Sequence, residues 1–242
     1  MNYLTGFHSI EERIKSGRTC GPLLLAKAGP RARELVTLAV NSKIRVDRVG
    51  TFDLDRISPD HRGIALAVED LEGEASDTNL EEFISGLGER KDILVLILDE
   101  ITDPHNYGAI LRSCDQFGVD LVISRNRRTA KHAEVISKTS SGAASWVPQA
   151  ETANLPRAVS DLKEAGFWIY GAEMGGDSPD KRDLRGRTAI ILGSEGTGIS
   201  RLLRENCDAL IGIPSRGKLD SLNVSVACGV LLYEVRRQRD VK

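Results

Sequence analysis

The sequence predicts an α/β protein whose larger, C-terminal part is built on a parallel β-sheet. Short apolar runs alternate with amphipathic segments along most of the 242 residues, and this alternation is typical of α/β folds. The run from Ile93 to Leu98 has six consecutive apolar residues, which indicates a strand buried on both faces of a parallel sheet. With 40% hydrophobic and 28% charged residues, the chain has the composition of a globular protein, and global disorder is excluded.

Charge is distributed unevenly along the chain. Residues 1–66 carry 11 Lys and Arg against 7 Asp and Glu, residues 67–90 carry 1 against 8, and residues 91–242 carry 21 against 20. An acidic, aromatic-poor stretch is typical of a solvated linker or an exposed connecting helix. We therefore expect an N-terminal domain at 1–70, an acidic linker at 71–90 and a second domain over the remainder.

The first part is predicted to form a small α/β domain. Ile10 and Ile14 share one helical face, and the later segments alternate in period between helix and strand. The predicted elements after the first helix are a strand in 21–27, a helix in 31–43, a strand in 44–50, a short helix in 52–58 and a strand in 63–69.

The second part repeats strand and helix to its end. The predicted strands are Ile93–Leu98, Asp120–Ser124, Ser145–Pro148, Phe167–Ala172, Thr188–Gly193 and Ala209–Ile213. Segments 155–166 and 199–207 are predicted amphipathic helices. Because parallel sheets bind ligands at the carboxyl ends of their strands, we expect functional residues directly after these strands.

The first such strand end is residues 99–119. Asp103, Pro104 and Asn106 precede or begin a helix that carries Arg112. The structural alternative is that Pro104 starts the helix, Asn106 caps it and Arg112 is a solvated surface residue.

Two further strand ends carry glycine and small polar residues. Residues 191–200 have the spacing G-x-x-G-x-G, which is neither the dinucleotide fingerprint nor the Walker phosphate loop; a tight turn is the alternative. Residues 213–239 place Ser221, Leu222 and Asn223 before a long apolar helix, where Ser221 can be read simply as an N-cap.

In this order, the three segments resemble the SpoU (TrmH-like) branch of the SPOUT superfamily, RNA ribose 2′-O-methyltransferases that use S-adenosylmethionine. The matching segments are DPHNYGAILRSCDQFG, ILGSEGTGIS and IPSRGKLDSLNVSVACGVLLYE. TSSGAASWVP resembles the family segment between the first two motifs, and GFHSIEERI and HRGIALAVE resemble an additional RNA-binding domain. The likeness is greatest to enzymes that methylate a guanosine of large-subunit ribosomal RNA.

The resemblance implies a dimeric α/β SPOUT methyltransferase domain, preceded by a small α/β RNA-binding domain. It further implies a C-terminal trefoil knot that forms the cofactor pocket, a feature that no periodicity indicates and that is very rare among proteins. The residues implied for the S-adenosylmethionine pocket are Leu192, Gly193, Ile213, Ser221 and Leu222.

The resemblance also implies the roles of the catalytic residues. Arg112 is implied to accept the ribose hydroxyl proton together with an RNA phosphate, and the site is implied to be organised by Asn106, Glu195, Ser221 and Asn223. Because arginine in water keeps its proton, we expect its role to be at least positional and electrostatic.

Candidate RNA contacts follow the strand that ends at Ser124. They are Arg125, Arg127, Arg128 and Lys131, with His132 beside them. Arginines there would hold phosphates without reading bases, although a solvated charge run is the alternative. Weaker candidates in the first part are Arg31, Arg33, His61 and Arg62.

Some residues depart from the family pattern. Ser215 and Arg216 stand where members usually have methionine and a small residue, which affects the expected cofactor contacts, and Ser145 stands where many carry glutamate. The four cysteines show no metal-ligand or disulfide spacing, so we expect reduced thiols and no metal site.

Sequence features also bear on location and on alternative functions. There is no apolar run long enough to span a membrane and no pattern of an export signal, so a cytoplasmic protein is expected. The net charge of −2 argues against indiscriminate coating of nucleic acid. The alternatives are a transfer RNA ribose methyltransferase and a non-catalytic RNA-binding ribosome-assembly factor.

Overall fold

The computed structural model describes the backbone of residues 2–15, 17, 20–57, 61–68, 78–125, 130–145, 147–218 and 221–241. The chain forms two compact units, residues 1–73 and 74–242. Within the described ranges, no helix is both long and apolar enough to cross a membrane.

The first unit is a four-stranded mixed sheet with three helices among its described residues. Its elements are β1 (Asn2–Leu4), α1 (Phe7–Lys15), β2 (Leu23–Leu25), α2 (Pro30–Asn41), β3 (Val46–Arg48), α3 (Thr51–Asp55) and β4 (Ile64–Val68). The strand order is β1-β4-β2-β3. Strand β4 is antiparallel to β1 and β2, whereas β2 and β3 are parallel. The predicted alternation of helix and strand is present, and β1 is an additional strand.

The core of the first unit follows from helical spacing. Ile10 and Ile14 on α1, with Leu35 and Ala39 on α2, are four residues apart and therefore share a face. All four are buried against the sheet residues Leu23, Leu25, Ile64, Leu66 and Val68.

The second unit is a six-stranded sheet flanked by helices. Its elements are α4 (Leu80–Ser85), β5 (Ile93–Leu98), α5 (Pro104–Gln116), β6 (Leu121–Ser124), α6 (Ala130–Thr139), β7 (Gln149–Glu151), α7 (Leu155–Glu164), β8 (Trp168–Asp177), β9 (Arg187–Leu192), α8 (Arg201–Glu205), β10 (Ala209–Ile211) and α9 (Val224–Asp240). The strand order is β10-β8-β9-β5-β6-β7, and every neighbouring pair is parallel. The predicted parallel α/β sheet is confirmed.

Strand β5 lies inside this sheet between β9 and β6, and all six of its residues are buried. Leu94, Leu96 and Leu98 face the core formed with α5 and α9. Ile93, Val95 and Ile97 face the opposite core, formed with α7 and α8. Burial on both faces explains why this strand reads as a continuous apolar run.

Two predicted features of the second unit differ in the structure. The prediction of a strand at Ser145–Pro148 was wrong, because a 3₁₀ turn covers Ala143–Ser145 and β7 begins at Gln149. Gln149 is buried, and its Nε2 donates to the carbonyl oxygen of Ala144 at 3.1 Å, which holds the chain in a turn before the strand. Strand β8 also extends to Asp177, five residues beyond its predicted end.

Part of the acidic stretch 71–90 is helical. Helix α4 lies within it, and Leu80, Phe83, Ile84 and Leu87 pack on the core of the second unit. The chain therefore attaches to the second unit well before β5, while the domain limits taken from charge remain a prediction.

Candidate active site

The three segments singled out in the sequence follow β5, β9 and β10. Strand β9 lies directly beside β5, and β8 separates β9 from β10. Because all of these strands are parallel, their carboxyl ends lie at the same edge of the sheet. The edge therefore collects side chains from positions more than a hundred residues apart.

One side chain from each segment meets in a polar cluster at this edge. The Nδ2 atom of Asn106 donates to Oε1 of Glu195 at 2.8 Å. The Nδ2 atom of Asn223 donates to the same Oε1 at 2.9 Å and to Oδ1 of Asn106 at 3.0 Å. The structure thus brings together three of the predicted catalytic residues in what we call the Asn106–Glu195–Asn223 cluster.

Helix ends fix the orientation of two cluster members. Asn223 is the N-cap of α9, and its Oδ1 accepts hydrogen bonds from the backbone N of Ser225 at 2.9 Å and from its Oγ at 2.6 Å. With that oxygen engaged, the amide nitrogen is directed at Glu195. Helix α5 is capped by Asp103, whose Oδ1 accepts from His105 N at 2.9 Å, so Asn106 in its first turn points to the cluster instead of capping the helix.

The cluster is open to solvent on its carboxylate side. Glu195 and Asn223 are exposed and Asn106 is half-buried. Within the described part of the chain, Oε2 of Glu195 has no hydrogen-bond partner. This oxygen is therefore free to accept a hydrogen bond from a bound molecule.

The glycine loop after β9 is closed on itself. The backbone N of Ser194 donates to Gly198 O at 3.1 Å, and Gly198 N donates to Ser194 O at 3.0 Å. A Cβ at Gly193 would lie 2.1 Å from the backbone carbon of Gly198, which real contacts do not permit. Gly193 is therefore required by close backbone approach, whereas a Cβ at Gly196 would meet nothing within 4 Å.

The other residues expected in the cofactor pocket lie around this edge. Leu192 is buried at the end of β9, and Ile213, just after β10, packs on the core from a half-buried position. Ser221 and Leu222 are exposed directly before α9. Their assignment to a cofactor pocket remains a prediction.

A buried carboxylate that sequence reasoning missed connects two of the site segments. Asp99, the first residue after β5, is 1% exposed, and its Oδ2 accepts from Ser200 N at 2.8 Å. Its own N donates to Leu192 O at 2.8 Å. Its Oδ1 lies 3.9 Å from Nη2 of Arg125. The available signal was a charged residue placed directly after a fully apolar strand.

A second missed feature is the glycine-rich end of β8. A Cβ at Gly176 would lie 2.7 Å from the backbone of Ile211, and one at Gly212 would lie 2.5 Å from Glu173 O. The carboxyl ends of β8 and β10 are therefore in close backbone contact at the same edge. A cavity of about 320 Å³ lies beside them, lined by Glu173, Met174, Gly175, Gly176, Asp177, Arg204 and Leu210.

Arg112 is not part of the cluster within this chain. It lies six residues after Asn106 on α5, which corresponds to a rise of about 9 Å and a rotation of about 120°. Its Nη1 donates to Ser141 Oγ at 3.4 Å, and the side chain is exposed. Its catalytic role therefore remains a prediction.

The candidate RNA contacts after β6 are only partly described. Arg125 is half-buried, and its Nη1 lies 3.5 Å from Oε1 of Glu100, so acidic neighbours already engage it. Arg127 and Arg128 lie outside the described residues, and Lys131 and His132 are described only in their backbone, as part of α6.

The remaining predicted residues have simple surroundings. Ser215 and Arg216 are exposed after β10, and Ser145 ends the 3₁₀ turn before β7. All four cysteines are free thiols. Burial, together with the neighbouring Cys228, raises the pKa of Cys114 well above its usual value, so this thiol stays protonated in the core.

Comparison with known proteins supplies the family. A model described as the SpoU rRNA Methylase family matches residues 93–233, and one described as RNA 2′-O ribose methyltransferase substrate binding matches residues 3–73. The chain is 39% identical over 243 residues to the 23S rRNA (guanosine-2′-O-)-methyltransferase RlmB of Neisseria meningitidis serogroup B, covering 98% of this chain and 95% of that protein. It is 41% identical over 215 residues to RlmB of Coxiella burnetii, covering 87% and 84%.

Solved structures share the fold. The SpoU methyltransferase AviRb from Streptomyces viridochromogenes, in complex with AdoMet, has a TM-score of 0.74 at 24% identity and covers 98% of this chain and 90% of that chain. The A. aeolicus TrmH/SpoU tRNA modifying enzyme has a TM-score of 0.57 at 31% identity and covers 66% and 82%. Since the family model spans more than half of the sequence and the relatives align along most of it, the chain belongs to the SpoU rRNA methylase family.

Proposed function

We propose that this protein transfers a methyl group from S-adenosylmethionine to a ribose 2′-hydroxyl of RNA, at a guanosine of large-subunit ribosomal RNA. The observation that carries the proposal is the Asn106–Glu195–Asn223 cluster, because it joins three distant segments at the edge where parallel sheets bind ligands. A non-catalytic assembly factor has no need for such a cluster, so the proposal favours an enzyme.

The residues at this edge fit S-adenosylmethionine. The loop from Gly193 to Gly198 presents backbone groups with open space at Gly196, and Oε2 of Glu195 is available as a hydrogen-bond acceptor. We assign Leu192, Gly193, Ile213, Ser221 and Leu222 to its pocket. When bound, this cofactor supplies a methyl group activated by a positively charged sulfur.

The protein's task is then to orient the ribose hydroxyl and to accept or share its proton during attack. The Asn106–Glu195–Asn223 cluster orients groups at the acceptor side, and we assign the same task to Ser221, two residues before Asn223 in the sequence. Arg112 stabilises the developing negative charge on the ribose oxygen and holds an RNA phosphate. Alignment of the two reacting groups supplies a further large part of the rate.

Ribosomal RNA is the favoured substrate because the similarity to the two RlmB proteins extends along most of the chain. The Neisseria relative aligns over 98% of it, and a substrate-binding model matches the first unit. The A. aeolicus tRNA modifying enzyme aligns with only 66% of this chain. Transfer RNA is therefore the second candidate, supported by the 31% identity of that alignment.

We also propose a homodimer. Val226, Val230 and Tyr233 on α9 are spaced by four and three residues and therefore share one face. They are 51%, 42% and 58% exposed. An apolar stripe of this kind marks an association surface. A C-terminal trefoil knot and a cytoplasmic location, where ribosomal RNA is found, complete the proposal.

The test is methyl transfer to transcribed RNA. Purified protein is incubated with labelled S-adenosylmethionine and either 23S ribosomal RNA or mixed transfer RNA transcripts, and ribose methylation is mapped at nucleotide resolution. We expect one 2′-O-methylguanosine in the ribosomal RNA. Methylation of transfer RNA alone would select the second candidate, and methylation of neither RNA would refute the enzymatic proposal.

A further inference from the structure

We infer that Phe52 stacks on an unpaired base of the RNA substrate while cations around it hold the flanking phosphates. This inference rests on the proposed function and adds to it a specific recognition residue in the first unit. We call Phe52 with Lys27, Arg48, Arg56 and Arg62 the Phe52 patch.

The members of the patch gather at one end of the first sheet. Leu25 at the end of β2 pairs with Arg48 at the end of β3 and with Ile64 at the start of β4. Lys27 follows β2, and its backbone N donates to Gly63 O at 3.2 Å, which places the Arg62–Gly63 turn beside it. Helix α3 begins three residues after Arg48.

Phe52 is unusually exposed for an aromatic residue. Its side chain is 73% exposed, the highest value among the large apolar side chains of the described residues. Leu54, two residues later on the same short helix, is fully buried, so α3 is anchored by one face and presents Phe52 on the other. An aromatic ring displayed in this way is the surface on which unpaired RNA bases stack.

The surrounding charges match an anion. Lys27, Arg48, Arg56 and Arg62 are exposed, and none of them has an ion-pair partner among the described residues. Elsewhere in this unit Arg31 pairs with Glu11 and Glu34, and Arg45 pairs with Asp47. Cations left without ion-pair partners at the same end of the sheet as an exposed aromatic ring fit a phosphate backbone.

The two carboxylates on α3 are already engaged. Asp53 Oδ2 accepts from Gly50 N at 2.9 Å, and Asp55 Oδ1 lies 3.0 Å from Nε2 of His61. Since Nδ1 of His61 accepts from Gly63 N at 2.8 Å, the ring donates from Nε2 to Asp55. The buried His61 side chain therefore links Asp55 at the end of α3 to the Arg62–Gly63 turn. These hydrogen bonds hold the segments that carry Phe52 and Arg62 together before RNA binds.

The patch favours unpaired RNA over a duplex. Bases inside a duplex are already stacked on their neighbours, so an exposed ring has no base face to meet. A splayed-out loop or bulge nucleotide offers that face, with phosphates on both sides for the arginines. An acidic protein surface would engage the cations but would gain nothing specific from the aromatic ring.

The first test compares RNA affinity of full-length variants. Binding to a 23S ribosomal RNA transcript is measured for the wild type, Phe52→Ala and Phe52→Leu. The control is Val40→Ala, since Val40 is 60% exposed near the far end of α2. Loss of one stacked base should weaken binding about 5- to 150-fold in both Phe52 variants, with KM for RNA raised and kcat at saturating RNA unchanged. Affinity within about twofold of wild type for Phe52→Ala or Phe52→Leu, or an equal loss in Val40→Ala, would overturn the inference.

The second test separates stacking from charge. Arg56→Gln should reduce the slope of log affinity against log salt by about 0.7 to 0.9. Phe52→Ala should lower the affinity but leave this slope unchanged. Lys43→Gln, at the other end of the unit, should change neither the affinity nor the slope. In Phe52→Trp, RNA should quench the new indole fluorescence, and in Val40→Trp it should not. Equal quenching in both would refute stacking. Failure of the wild type to methylate the transcript would refute the proposed function. The binding and fluorescence measurements do not depend on methyl transfer, so they would still decide whether Phe52 stacks on RNA.

Discussion

The Nδ2 atom of Asn223 donates to Oε1 of Glu195 across 2.9 Å while the Oδ1 atom of the same amide caps the last helix. One side chain therefore serves both the stability of α9 and the geometry of the candidate site. The two contributions are separable, because serine also caps helices but is too short to span the distance to Glu195.

Asn223→Ser should keep the stability of the protein and lose its activity. We expect a free energy of unfolding within about 0.5 kcal/mol of wild type, because serine is a good N-cap, and a methyl-transfer rate lower by ~10²-fold, because the site loses its alignment. Asn223→Ala should lose the rate and in addition about 1 kcal/mol of stability. The control is Asn154→Ala, which removes the cap of α7 and should cost stability alone. Wild-type turnover in Asn223→Ser would remove the cluster from the mechanism.

Gly193→Ala should abolish cofactor binding. The added Cβ would lie 2.1 Å from Gly198, so the loop between these glycines must open. Gly196→Ala adds the same atom to the same loop where it meets nothing within 4 Å. Calorimetric titration with S-adenosylmethionine should show binding for wild type and Gly196→Ala and none for Gly193→Ala. Normal binding by Gly193→Ala would place the pocket elsewhere.

Arg112→Ala should abolish methyl transfer and leave cofactor affinity nearly intact. Arg112 lies away from the glycine loop and contacts Ser141, so its loss should act on the transition state and lower the rate by ~10²-fold or more. Arg157→Ala, which removes another exposed arginine, is the control and should change turnover little. Thermal unfolding and cofactor titration accompany the assay. Near-wild-type transfer by a folded Arg112→Ala would show that Arg112 is only a surface residue.

Tyr233→Glu should convert a dimer to a monomer. Tyr233 is exposed on the apolar stripe of α9 and touches only the Phe117 ring among aromatic neighbours within the described chain, with centroids 6.3 Å apart. A charge there opposes burial against a second copy. Light scattering should give twice 26.4 kDa for wild type and for Trp168→Glu, which alters another exposed aromatic residue. A wild-type mass of one chain would exclude the dimer.

Stability should fall at alkaline pH through Cys207. Burial raises the pKa of Cys207 to about 11, above the value of about 8.5 for a free thiol. The folded protein therefore holds this proton more tightly than the unfolded chain, so the contribution is fully present below about pH 8.5 and is lost as pH rises toward 11. Cys207→Ala should lose less free energy of unfolding than wild type between these values in denaturant titrations. Parallel losses in the two proteins would show that Cys207 does not contribute.

Local patterns in the sequence predict much of the architecture. The apolar run of β5 is unambiguous because both faces are buried, and the amphipathic helix α7 is predicted from its spacing alone. The prediction of a strand at Ser145–Pro148 was wrong. Val147 is buried although it lies in the irregular segment before β7, and such a segment has no periodic pattern that would distinguish it from a strand. The buried Gln149 side chain fixes this segment by hydrogen bonds with Ala144 and Tyr107, and these bonds form only in the folded chain.

The candidate site was predictable in its members but not in its contacts. Asn106, Glu195 and Asn223 were expected from family resemblance, whereas their mutual hydrogen bonds span up to 117 residues of sequence and follow only from strand order. Asp99 was missed because its partner, Ser200, lies 101 residues away. The separation of Arg112 from Asn106 follows from the rise and rotation of α5, whereas its hydrogen bond to Ser141 joins residues 29 positions apart and depends on the folded chain.

The bond between Asp99 and Ser200 makes two loops behave as one. The carboxylate of Asp99 is buried at the end of β5, in the middle of the sheet. It accepts a hydrogen bond from the backbone N of Ser200, which lies just beyond the glycine loop. Releasing that amide would leave the buried Oδ2 atom of Asp99 without its hydrogen-bond donor, so fluctuations of the loop are coupled to the end of β5. Motion at this edge is therefore cooperative, and its energetic scale is set by the stable interior of the sheet instead of by a surface loop.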